Sequence, residues 1–129
     1  MDGKYLLDTN IVIDLFNNDK KVIDWILGIN EVYIPNVAIG ELYYGFLKST
    51  RKKDNLNDLE DLIISSSILD TDINTSKIYG EVKNKLRIKG KPIPDNDIWI
   101  SAIAIQHSVT LVTRDRHFEN VDNISLEVW

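Results

Sequence analysis

Five short runs of aliphatic and aromatic residues, Lys4–Leu7, Val32–Ile34, Ile68–Leu69, Thr110–Thr113 and Ser125–Val128, alternate along this chain with segments of helical period. In those segments the apolar residues recur at three and four: Val22, Ile23, Ile26, Leu27 and Ile29; Ile39, Leu42, Tyr43 and Phe46; Leu56, Leu59, Leu62 and Ile63; Ile78, Val82 and Leu86; and the stretch Ile98 to Gln106. A shorter helix through Ile11, Ile13 and Leu15 follows the first run. Strands joined by segments long enough to cross over pair in parallel, and a parallel sheet must be covered on both faces. The expected fold is therefore α/β, with three α/β/α layers around a central, mostly parallel sheet of about five strands. Gly90-Lys91-Pro92-Ile93-Pro94 is the conspicuous loop, where glycine stops one helix and the prolines hold an extended lead into the next.

The 129 residues fit a single domain spanning 1–129, long enough to bury roughly two-thirds of the surface that the unfolded chain exposes. No apolar stretch is long enough to cross a bilayer and no leader pattern precedes the first strand, so a cytoplasmic protein without membrane contact is expected. The absence of cysteine excludes disulfides and thiolate metal sites. A net charge of -5 argues against a protein that coats nucleic acid nonspecifically.

Open parallel sheets gather their sites at the carboxyl ends of the strands, where loops and helix N-termini converge. Asp8 follows Tyr5-Leu6-Leu7, and Asp115 stands two residues beyond Leu111-Val112-Thr113. Glu41 is one turn into the helix after the second strand, and Asp97 is in the first turn of the helix before the fourth. All four acids can reach one edge. Together they would form an oxygen-rich pocket that a hard divalent cation neutralises, the chemistry of metal-dependent phosphodiester cleavage.

Each acid also has a purely structural reading. Asp8 could cap the helix that follows it, although Asp8, Thr9 and Asn10 are three cap formers where one suffices. Asp97 could serve the helix dipole while Asp95 supplies the cap. Asp115, between Arg114 and Arg116, could be a turn residue. Glu41 is harder to explain: Val37, Ala38, Tyr44 and Gly45 are its helical neighbours, and Ile39, Leu42 and Phe46 line the other face. A helix apolar on both sides is expected to be buried, and a buried carboxylate needs a partner or an ion.

The chain resembles the PIN-domain family, and within it the VapC-type ribonuclease toxins of toxin-antitoxin pairs. The resemblance rests on Leu7-Asp8-Thr9-Asn10-Ile11, on Ile39-Gly40-Glu41-Leu42, on Pro94-Asp95-Asn96-Asp97-Ile98-Trp99-Ile100-Ser101-Ala102 and on Leu111-Val112-Thr113-Arg114-Asp115-Arg116-His117-Phe118. In the third motif the matching acid is Asp97 and not Asp95. Ser101 stands where a second alanine is commoner, a small-for-small change. These motifs run in the family's order from about Tyr5 to the C-terminus.

The resemblance implies a Mg²⁺-dependent endoribonuclease, with Mn²⁺ as substitute, whose catalytic and metal-binding residues are Asp8, Glu41, Asp97 and Asp115. Asp8 and Asp97 would hold the ion, with Glu41 and Asp115 binding a second ion or ordering water. Asn10 and Thr113 would support the site, and Arg114 and Arg116 would contact phosphate. Cleavage would leave a 5′-phosphate and a 3′-hydroxyl. His117 is read as a packing or phosphate-contact residue, and the cations Lys83, Lys85, Arg87, Lys89 and Lys91 as a solvated helix face or a phosphate track. The implied partners are an RNA substrate, a VapB-like antitoxin covering the active site, and a second copy of the chain in a homodimer within a larger toxin-antitoxin complex.

Two other classes fit parts of the pattern. A noncatalytic PIN-fold interaction module would keep the fold and bind no metal. A phosphoacceptor receiver-like domain wants paired acids at the first strand and a lysine after the last; here Thr113-Arg114-Asp115 occupies the later position and Glu41 would have no task.

Overall fold

The computed structural model describes residues 3–129. Strands β1 (Lys4–Leu7), β2 (Glu31–Pro35), β3 (Ser67–Leu69), β4 (Thr110–Thr113) and β5 (Leu126–Val128) form one sheet in the order β3-β2-β1-β4-β5, with every pair parallel. The connections are helices α1 (Thr9–Phe16) and α2 (Lys20–Leu27), α3 (Asn36–Leu47) and α4 (Lys52–Ser65), and α5 (Ile73–Lys89) and α6 (Asp95–His107); a 3-10 helix, Arg116–Asn120, leads into β5.

Side chains alternate across a strand, and here adjacent residues feed opposite layers. Leu7 and Val112 face the core made with Ile11, Val12, Val22, Ala38, Leu42 and Leu59 of α1 to α4. Leu6 and Leu111 face the other core, with Ile100, Ile103 and Ala104 of α6 and Phe118 of the 3-10 helix. The sheet is thus sandwiched between two helical layers, as expected from the sequence. A third cluster, Val82, Leu86, Ile93, Ile98 and Val121, holds α5 against α6. There Tyr79 and Trp99 stack with ring centroids 4.1 Å apart.

Local signals set the helix ends. Asp72 and Thr75 form a reciprocal capping box at the start of α5, and Gly90 ends it in the left-handed conformation, φ 70°, that glycine adopts without steric cost. Helix α2 stops at Leu27 before Gly28, so Ile29 lies outside the helix to which its spacing assigned it. Asp95 does not cap α6: Pro94 occupies that position, and Asp95 and Asp97 share the first turn. Helix α3 is not buried all round, since Tyr44 is 67% and Leu47 55% exposed. Among the described residues no helix is long and apolar enough to cross a membrane.

Candidate active site

The strand order reverses between β1 and β4, the switch point at whose carboxyl ends sheets of this kind place their sites. Leu7 pairs with Val112 across that boundary, so Asp8 and the residues after Thr113 emerge side by side. Asp8 is 4% exposed. Its Oδ1 accepts from the Thr9 N–H at 2.8 Å, and its Oδ2 accepts from the Thr113 hydroxyl at 2.7 Å and from Asn10 Nδ2 at 3.3 Å. Thr113 in turn accepts from the Asp115 N–H at 2.9 Å, and Asn10 Oδ1 accepts from the Arg114 N–H at 3.2 Å. One hydroxyl and one amide therefore tie the end of β1 to the loop after β4 and orient Asp8 at that joint.

Glu41 reaches the same place from α3. Its Oε1 accepts from the Thr9 hydroxyl at 3.0 Å. That link gives Thr9 a task beyond capping; the run of three cap formers was its only sequence signal. Asp97 enters from the first turn of α6, whose N-terminus favours an anion.

Asp8, Glu41 and Asp115 all lie close enough to Asp97 to act on its charge. Burial pushes the Asp97 carboxyl up to about 7, and the charges of Asp8, Asp115 and Glu41 push the same way, opposed by His117. Asp8 is also raised, first by burial, with Glu41 and Asp115 adding to it and the hydrogen bonds from Thr113 and Thr9 pulling back. Among the described residues no Lys or Arg forms an ion pair with any of the four. Carboxylates whose charges push Asp8 and Asp97 up, with no Lys or Arg paired to them among the described residues, fit a hard divalent ion.

Asp115 has one further neighbour. Its Oδ1 accepts from the His117 N–H at 2.9 Å and lies 3.1 Å from His117 Nδ1. His117 follows Asp115 by two residues in the last motif, and the sequence suggested a packing or phosphate-contact role for it; the structure sets its ring against the Asp115 carboxylate. Arg114, by contrast, turns away from them: its guanidinium pairs with Asp14 of α1 and Asp19 at the start of α2, bracing the loop after β4. Arg116 pairs with Glu119 and is 77% exposed, which leaves it free to exchange that partner for a phosphate. Asp95 is held outside the acid group by Lys83 at 2.9 Å and the Tyr79 hydroxyl at 3.0 Å. Of the cations near the end of α5, Lys83 and Lys89 are paired with Asp95 and Asp122, and Arg87 donates to Asn84. These three are stitched to their own surface.

The raised Asp97 pKa has a direct consequence for metal-free stability. In the unfolded chain an aspartate titrates near 3.9, so between about pH 4 and 7 the folded state binds more protons and stability falls as pH rises. A shift of this size has a ceiling of about 4 kcal/mol; since Asp97 is only half buried, about 1–2 kcal/mol is expected. Asp97→Asn removes the penalty. In chelator its Tm should exceed the wild type's by about 3–8 °C at pH 8, with the gain shrinking to about a third at pH 5. Thermal melts at the two pH values check this, and a gain independent of pH would contradict it.

Comparison with known proteins adds context to this geometry. The model of the PIN domain family matches residues 5–124. Ribonuclease VapC2 of Rickettsia felis is 32% identical over 130 residues, covering 97% of each chain. The tRNA(fMet)-specific endonuclease VapC of Shigella flexneri is 30% identical over 129 residues, covering 98% of each. Among solved structures, VapBC2 from Rickettsia felis bound to a DNA fragment from their promoter superposes with a TM-score of 0.89 at 30% identity, over 97% of this chain and 98% of that one.

Proposed function

The chain belongs to the PIN domain family, and we propose that it is a divalent-metal-dependent endoribonuclease, the toxin of a VapBC-type pair, acting in the cytoplasm as one domain over 1–129. The observation that carries this reading is the approach of Asp8, Glu41, Asp97 and Asp115 from four separate parts of the fold, linked through Thr9 and Thr113 and, among the described residues, without a Lys or Arg partner. An interaction module would have no use for so costly an arrangement, and a receiver-like domain would leave Glu41 unused.

Asp8 and Asp97 would hold Mg²⁺, or Mn²⁺ in its place. When bound, the ion supplies Lewis acidity toward the phosphodiester and lowers the pKa of the attacking water. Thr113, Asn10 and the Thr9 N–H fix the direction of the Asp8 oxygens, so little reorganisation is needed as charge develops. Glu41 is steadied by Thr9 and, with Asp115, would bind a second ion or hold water for the attack. Arg116, exposed and paired with Glu119, would meet the RNA backbone. The products are a 5′-phosphate and a 3′-hydroxyl. Incubating the purified chain with cellular RNA, with and without EDTA, and mapping the ends tests the reading; cleavage insensitive to EDTA would overturn it.

A VapB-like antitoxin covers this site in the same proposal, within an assembly built on a toxin homodimer. The exposed Tyr44 and Leu47 lie on α3, the helix that carries Glu41, and suit a segment that brings an Arg or Lys to the carboxylates and apolar residues to the helix. Inhibition by such a segment is expected to be competitive with Mn²⁺ and to weaken as salt rises. Titrating cleavage against the product of the neighbouring short reading frame at several Mn²⁺ and salt concentrations checks both dependences.

A further inference from the structure

The imidazole of His117 lies outside the four-acid set but within the dimensions of a single coordination sphere. One ligand atom from each of Asp97, Asp115 and His117 lies within 4.8 Å of the other two. Donors held about 2.0–2.2 Å from one ion stand about 3 Å apart when adjacent and about 4.3 Å apart when opposite. The 3.1 Å between His117 Nδ1 and Asp115 Oδ1 matches such an adjacent pair. Packing does not explain the position of this ring, whose side chain is 59% exposed. The next residue, Phe118, is fully buried and pins the turn, which presents His117 toward the acids.

We propose that His117 donates an imidazole nitrogen to the ion at Asp97, on the side where Asp115 lies, so that this site prefers Mn²⁺ to Mg²⁺. The proposal rests on the metal-centre reading given above. Mg²⁺ takes oxygen donors and keeps its waters, whereas imidazole suits transition ions. A site of carboxylates alone would discriminate less between the two, and the nitrogen donor supplies the difference.

Calorimetric titration of the metal-free full chain with MnCl₂ and with MgCl₂ separates the two ions. Wild type should bind Mn²⁺ more tightly than Mg²⁺. His117→Ala should weaken Mn²⁺ by about tenfold or more and leave Mg²⁺ within about twofold. With Co²⁺ as a spectroscopic probe, the visible absorption should change between wild type and His117→Ala, because a nitrogen donor has left the sphere. His117→Gln, which puts an oxygen donor in place of the nitrogen, should keep Mg²⁺ binding near wild type without restoring the Mn²⁺ preference. Equal weakening of both ions, or an unchanged Mn²⁺ affinity with an unchanged Co²⁺ spectrum, would overturn the role of His117 and leave the carboxylate centre standing. If wild type binds no Mn²⁺, the centre and the inference fall together.

Discussion

Asp8→Asn and Asp97→Asn are each expected to cut Mg²⁺- or Mn²⁺-dependent RNA cleavage by at least about a hundredfold. The two positions differ in how the loss arises. Asp8 is the acid most firmly built in, with donors from Thr9, Asn10 and Thr113, so an amide there presents its NH₂ to groups arranged to donate and disturbs the joint between β1 and β4. Asp97 has a freer setting, and its substitution removes charge with little change in packing. Glu41→Gln and Asp115→Asn should cost less, about ten- to a hundredfold, as expected for groups that steer water or a second ion. Asp95→Asn is the internal control. The Lys83 ammonium beside Asp95 holds its carboxyl below the usual carboxylate range, with the Tyr79 hydroxyl adding to this, so Asp95 belongs to a surface ion pair and its loss should leave cleavage near wild type. Full cleavage by Asp97→Asn, in assays normalised to folded protein, would remove the acid set from the mechanism.

The layer order was legible in the sequence because strand and helix periods differ and the crossovers are long. Leu6 and Leu7, or Leu111 and Val112, need only alternate to feed two cores. The positions of the four acids relative to the strands followed from the same pattern. What was not legible is whatever depends on a partner far away in the chain. Apolar residues on both sides of α3 implied burial, but periodicity cannot show whether a neighbouring element covers each side; Phe46 meets Phe16, while Tyr44 is left exposed. Arg114 beside Asp115 suggested a phosphate contact, yet Asp14 and Asp19 on the preceding helices claim its guanidinium. The link from Thr9 to Glu41 spans 32 positions and has no local signature beyond one surplus cap former. Asp95 and Asp97 share a helical turn but face different neighbours, because two residues turn a helix by roughly 200°.

Phe118→Ala is expected to cost about 3–5 kcal/mol, a large part of the stability of a domain this size. Phe118 is fully buried between β1, β4 and α6, packed in one cluster with Leu6, Ile100, Ile103 and Leu111. It is also the only buried side chain of the 3-10 helix, whose cap is Asp115 and whose second residue is His117. Removing the ring therefore opens a cavity under the sheet and releases the turn that aims both groups. In urea the midpoint should fall with an unchanged slope, and Tm should drop by about 10–20 °C. Phe118→Leu keeps most of the volume and should cost about 1–1.5 kcal/mol. Mn²⁺ affinity, measured where the alanine variant is still folded, should weaken with it, since Asp115 then loses its fixed direction. A stability loss under about 1 kcal/mol would mean that the site loop is held by the Thr113, Asn10 and Arg114 contacts alone, and that the core beneath it does not set its geometry.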